Sequence, residues 1–153
     1  MKSIDLVFTI SSLFLLVSLF NCSGTRPDDL GIRENGELKP CPPSPNCVSS
    51  FCDPKDEQHF IMAIDLKKSL PDSMKDLKSV LANQGNAVII KETENYIYAE
   101  FTSKIMGFVD DVEFYIDAKS KKLHYRSASR LGHSDLGVNR KRINKIILEL
   151  GWN

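Results

Sequence analysis

Ten polar residues in the second half of the chain have types suited to chemistry: Asp110, Asp111, Glu113, Arg126, Ser127, Ser129, Arg130, Asp135, Asn139 and Arg140. Arginines beside the N-terminus of a helix could hold an anionic small molecule. The adjacent aspartates could assist a proton transfer. The same groups could also satisfy one another, because buried polar groups need partners and such networks fix a fold. In that case Glu113 and Arg126 form a cross-strand ion pair, Asp110 accepts from Arg140, and Asp135 caps a helix. No recognisable catalytic arrangement emerges from these residues, so none is assigned a catalytic role. The candidate ligand-binding set is Asp110, Asp111, Arg126, Ser127, Ser129, Arg130, Asp135, Asn139 and Arg140.

Four cysteines carry the remaining chemistry. Cys41, Cys47 and Cys52 lie close together, and in an oxidising compartment a nearby pair is expected to bridge. With His59 they could in principle hold zinc, but the spacing matches none of the usual zinc patterns. A nucleophilic Cys47 would need a paired histidine, with His59, His124 and His133 as candidates by count alone.

Cys22 stands apart. It follows an apolar run from Leu6 to Phe20, broken only by Thr and Ser, after Met1-Lys2-Ser3-Ile4-Asp5. That run is shorter than the ~20 residues a membrane-spanning helix needs and fits the apolar region of a secretory signal peptide. Leu19-Phe20-Asn21-Cys22 resembles a bacterial lipobox, with Leu three positions before the cysteine and Phe20 and Asn21 in place of the usual small residues. The resemblance implies that residues 1–21 are removed and that Cys22 is lipidated. Two or three acyl chains would then hold the protein durably, at about 0.8 kcal/mol per buried methylene. The expected location is outside the cytoplasm, on a bacterial membrane, facing the periplasm or the cell exterior.

Residues 22–39 are polar, with Gly24, Pro27, Gly31 and Gly36 and no apolar period, and are expected to form a flexible tether. Residues 40–153 are expected to form one domain. It opens with a Pro- and Cys-rich loop over residues 40–55, where helix is impossible. A strand is expected near 59–66 and a helix over 69–84, with Ser69 as N-cap, Pro71 in the first turn and Leu70, Met74, Leu77 and Leu81 at helical spacing. Four strands follow, near 87–92, 96–103, 108–117 and 121–130, joined in pairs by short polar turns. In the second hairpin, pairing Ile116 with Leu123 brings Phe114 to Tyr125, Val112 to Ser127, Glu113 to Arg126 and Asp110 to Ser129. A last helix spans 136–150, capped by Ser134 or Asp135, with Ile143, Ile146, Ile147 and Leu150 as its apolar stripe and Lys141, Arg142 and Lys145 opposite.

The order β-α-β-β-β-β-α predicts an α+β fold: a four- to five-stranded antiparallel sheet with two helices on one face. It is similar to the TATA-binding-protein-like class, in which a curved sheet and a helix can enclose a ligand cavity, although fold-level analogy carries no function by itself. In this arrangement the polar candidates converge at the end of the sheet where the last helix begins.

Three segments resemble an uncharacterised family known as domain of unknown function 1499. They are Cys41-Pro42-Pro43-Ser44-Pro45-Asn46-Cys47-Val48-Ser49-Ser50, Gly107-Phe108-Val109-Asp110-Asp111-Val112-Glu113-Phe114, and the run from Arg126 to Arg142. The family label implies no activity. Because Cys41 and Cys47 both lie inside the family-like motif and Cys52 does not, the resemblance points to a Cys41–Cys47 disulfide, with Cys52 free or paired to another chain.

Composition excludes some classes. With 20 basic and 20 acidic residues the net charge is zero, so there is no electrostatic footprint for nucleic acid. Gly107, Gly132 and Gly137 match no phosphate-binding loop, and no cofactor is implied. The leading expectation is a binding or structural module tethered to an envelope membrane, for an anionic small molecule or an envelope protein. The rival is an enzyme using Asp110 or Asp111 with Arg126 and Arg130.

Overall fold

The computed structural model describes residues 23–152. The signal peptide expected over residues 1–21 and the lipidation expected at Cys22 lie outside the described residues. Six strands and two helices run in the order β1 (Cys47–Ser49), β2 (Ile64–Asp65), α1 (Leu70–Ala82), β3 (Ala87–Glu92), β4 (Tyr96–Thr102), β5 (Val109–Asp117), β6 (Lys122–Ser129) and α2 (Val138–Leu150). The sheet is antiparallel with strand order β1-β6-β5-β4-β3, and β2 pairs with the start of β6 beyond β1. This is the expected α+β class, with six strands where four to five were expected.

The two hairpins follow directly from alternation. Side chains on a strand point to opposite faces in turn, so one register gathers Val112, Phe114, Ile116, Leu123 and Tyr125 on one side. The β5–β6 pairing has Ile116 opposite Leu123, Phe114 opposite Tyr125, Val112 opposite Ser127, Glu113 opposite Arg126 and Asp110 opposite Ser129, all as expected. On the same face β4 contributes Ile97, Ala99 and Phe101. Helix α1 starts where Ser69 accepts a hydrogen bond from the Asp72 amide, and it buries Met74, Leu77 and Leu81. Helix α2 adds Ile143, Ile146 and Leu150, and Trp152 closes the same core.

The β1 strand and the shortness of β2 correct the sequence reading. The Pro- and Cys-rich loop contains β1, whose three residues pair with Ala128, Ser127 and Arg126. Cys41 and Cys47 form a disulfide with their Cα atoms 5.6 Å apart, which ties the proline run to the first residue of that strand. The strand expected near 59–66 reduces to Ile64–Asp65, because its first half is spent in a turn closed by Phe60 N donating to Asp56 O at 2.7 Å.

The expected tether is also corrected. Residues 23–39 lie against the face of the sheet away from the helices. Leu38 is buried there with Tyr96 and Tyr98, and Leu30 packs on the same cluster. Two isolated leucines make no period, so sequence pattern cannot announce them; they fill a gap between tyrosines that a helix does not cover. Polar contacts hold the segment as well: Arg26 pairs with Glu100 at 2.6 Å, and the Gly31 amide donates to Glu113 Oε1 at 2.8 Å.

Candidate functional site

The polar residues named from sequence form two groups on opposite faces of the sheet. Asp110, Ser127 and Ser129 point to the helix side; Asp111, Arg126 and Arg130 point to the other. Consecutive strand residues must diverge in this way, so Asp110 and Asp111 share no site.

The helix-side group is centred on Asn139, which is fully buried in the first turn of α2. Its Oδ1 accepts from Ser127 Oγ and from Arg142 Nη1, each at 2.5 Å. Its Nδ2 donates to Asn46 O at 3.0 Å and to Ser129 Oγ at 3.1 Å. Arg142 completes the group by pairing with Asp110 and lying 4.8 Å from the centre of the Phe101 ring. Every capacity of the Asn139 amide is thereby used. The loop before β1, β6 and α2 meet at this one side chain, and Arg142 links β5 to it through Asp110.

Arg142 was expected on the solvent side of α2. It is three residues after Asn139, hence on a neighbouring part of the helix surface, and that spacing is the signal that could have found it. Arg140, expected to meet Asp110, instead donates to the Glu57 and Gln58 carbonyls at 3.1 Å each. Asp135 does cap α2 from two residues before Gly137: it accepts from the Gly137 amide at 3.0 Å and the Asn139 amide at 2.7 Å.

The opposite face holds a second closed group. Arg130 grips Asp111 with Nε at 3.1 Å and Nη2 at 2.5 Å, and Nη2 also reaches Glu100 Oε1 at 2.5 Å. Tyr98 donates to Asp111 at 2.6 Å. Hydrogen bonds from Arg26 first, then Arg130, lower the Glu100 carboxyl to about 2. Deeper in, Glu113 is fully buried, 3.5 Å from Arg126 Nη1, and accepts from Tyr96 at 2.9 Å. Burial pushes its pKa up, against the opposing pull of Arg126. Arg126 Nε is buried without a hydrogen-bond partner among the described residues. Tyr96, Tyr98 and Glu100 were missed from sequence, although their alternation with Ile97, Ala99 and Phe101 places them on one face.

The thiol alternatives close in the same way. Both Cys41 and Cys47 are consumed by the disulfide, so neither is a thiolate ligand or nucleophile. Cys52 is free, half-buried, and its thiol is raised by burial. His59 Nδ1 lies 2.7 Å from Asp56, and His124 Nδ1 lies 3.1 Å from Ser50 Oγ with its ring stacked on Phe51.

Two concavities adjoin the helix-side group: an open one of about 280 Å³ beside Phe101, Lys141, Arg142 and Lys145, and a more enclosed one with an apolar wall. The latter, a cavity of about 160 Å³, lies between the β4–β5 turn and the β6–α2 connection. Phe108, Leu131 and Val138 form its apolar wall, and Asp110, Ser129 and Asp135 are among its polar groups. This volume suits one ring-sized apolar group. Its two carboxylates are already engaged, by Arg142 and by the α2 amides.

A family match extends over residues 37–150, and the chain belongs to the family described as "Protein of unknown function (DUF1499)". No curated protein and no solved structure matches the chain.

Proposed function

We propose that the protein is an exported, lipid-anchored binding module of the cell envelope, and that its ligand seats an apolar group in the cavity beside Val138. The cavity is the observation that carries this reading: an apolar wall above polar groups, beside aspartates and arginines that pair with one another, Asp110 with Arg142 and Asp111 with Arg130. The anchor at Cys22 rests on the apolar run and the lipobox-like residues before it.

Ligand charge follows from what is already paired. Arg130 is engaged by Asp111 and Glu100, Arg142 by Asp110, and Arg140 by two carbonyls. The support is therefore for a neutral ligand over the anionic one expected from composition of the cluster. An enzyme built on Asp110, Asp111, Arg126 and Arg130 has less support, since these groups lie on two faces.

Benzyl alcohol, benzoate and benzylamine share one ring and differ in charge. Titrated into residues 23–153 and followed by amide chemical shifts, benzyl alcohol is expected to move Gly132, Ser134 and Val138 saturably, and V138W to abolish the effect. Equal shifts in V138W, or benzoate binding best, would count against this reading.

A further inference from the structure

The same end of the molecule carries an exposed apolar rim. Six large apolar residues are exposed there: Ile105, Met106 and Phe108 on the β4–β5 turn, Leu131 and Leu136 on the β6–α2 connection, and Val138 at the start of α2. Ile105 and Leu136 are 88% and 86% exposed, so neither helps to hold the fold. Other exposed large apolar residues among those described lie elsewhere: Met62 before β2, Val88 on β3 and Leu148 in the last turn of α2. Scattered apolar residues are ordinary; a cluster on two adjoining turns marks a surface that something covers.

The course of the chain says what covers it. Ser23 is held at this end, its carbonyl accepting from Arg130 Nη1 at 3.2 Å, and a side chain on Gly24 would meet Leu131 Cγ at 3.0 Å. Cys22 is one residue further, hence about 3.8 Å of chain from Ser23. The apolar run Leu6–Phe20 precedes it. A membrane holding residue 22, by acyl chains or by the apolar run itself, therefore lies at the end where the rim projects. Had the chain run off at the Trp152 end, a long tether would be needed to bring the rim to the bilayer.

We propose that this rim is a membrane-contacting surface: Ile105, Met106 and Leu136 enter the headgroup–acyl boundary, with the exposed Lys104 ammonium reaching back to the phosphates. The proposal rests on the reading of residues 1–22 as membrane-directed, and goes beyond it by orienting the domain. It places the mouth of the cavity, lined by Phe108 and Leu131, at the bilayer surface.

The chain's only tryptophan, Trp152, is buried at the other end of α2 and serves as an internal control. Full-length I105W and L136W, matured in cells and purified from membranes, are reconstituted in phosphatidylethanolamine–phosphatidylglycerol vesicles with and without brominated acyl chains. The expected result is loss of the added emission in brominated vesicles, with wild-type Trp152 emission unchanged. Unquenched emission in protein that floats with the vesicles overturns the rim while leaving the anchor standing; blue-shifted but unquenched emission would mean that a protein surface covers it. Quenching in protein whose mass shows no acyl groups upholds the rim and removes the lipidation. Protein that does not float overturns both.

Discussion

Asp110 and Asp111 are neighbours in sequence and serve opposite faces of β5: Asp110 pairs with Arg142 on the helix side, and Asp111 with Arg130 beneath the N-terminal segment. Each aspartate thus fastens a different layer to the sheet, α2 on one side and Ser23 on the other. This arrangement makes the polar cluster a pair of clamps, and the ligand site proposed above is the cavity beside the helix-side clamp.

If Asn139 is the hub of the helix-side clamp, N139A should destabilise the domain by about 3 kcal/mol, because it strands buried polar groups on Ser127, Arg142 and the Asn46 carbonyl. R140A, which removes contacts to two exposed carbonyls, should stay within about 0.5 kcal/mol. Urea unfolding of the two variants separates them; similar costs would contradict the hub.

R126M removes the charge opposite buried Glu113 and should cost roughly 3–5 kcal/mol at neutral pH. Burial already raises the Glu113 pKa in the folded state above its unfolded value of 4.5, so its stability contribution is full below 4.5 and is lost as pH rises through the folded value. Without Arg126 that folded value climbs further. The cost of R126M should therefore shrink as pH is lowered toward 5, and R126M/E113Q should remove that pH dependence. Denaturation midpoints across the range provide the check.

Glu100 behaves in the opposite sense. Its carboxyl, at about 2 when folded and 4.5 when unfolded, contributes stability that is present above 4.5 and lost as pH falls toward 2. E100Q should be less stable than wild type at pH 7 and should show a flatter acid limb between those values. Parallel acid limbs in thermal melts would show that Glu100 does not carry it.

Reducing the Cys41–Cys47 bridge should cost about 2 kcal/mol, the chain-entropy value for so short a loop. Before reduction one thiol, Cys52, should react with iodoacetamide, slowly because burial raises it; after reduction three should react in the mature chain.

The hairpins were legible in sequence because a period of two and one apolar face leave a single register for β5 and β6. Helix α1 was legible through Ser69, Pro71 and its spaced leucines. What escaped has no period. Leu30 and Leu38 bind the N-terminal segment as single residues, β1 is three residues long inside a proline-rich loop, and Arg142 reads as a solvated charge until its partner Asp110 is seen beneath it. The expected convergence of the polar residues does not occur for a geometrical reason: adjacent Asp110 and Asp111 diverge on a strand, and Arg126 and Arg130 follow Asp111 to the face away from the helices.

The most direct test of an anchored binding module is intact mass spectrometry of the native protein taken from the membrane fraction, first under native and then under denaturing conditions. The account predicts a covalent mass that begins at Cys22 and carries acyl groups, with one disulfide, and a native mass with an additional neutral adduct that V138W lacks. An unacylated chain with the same mass under both conditions would contradict it.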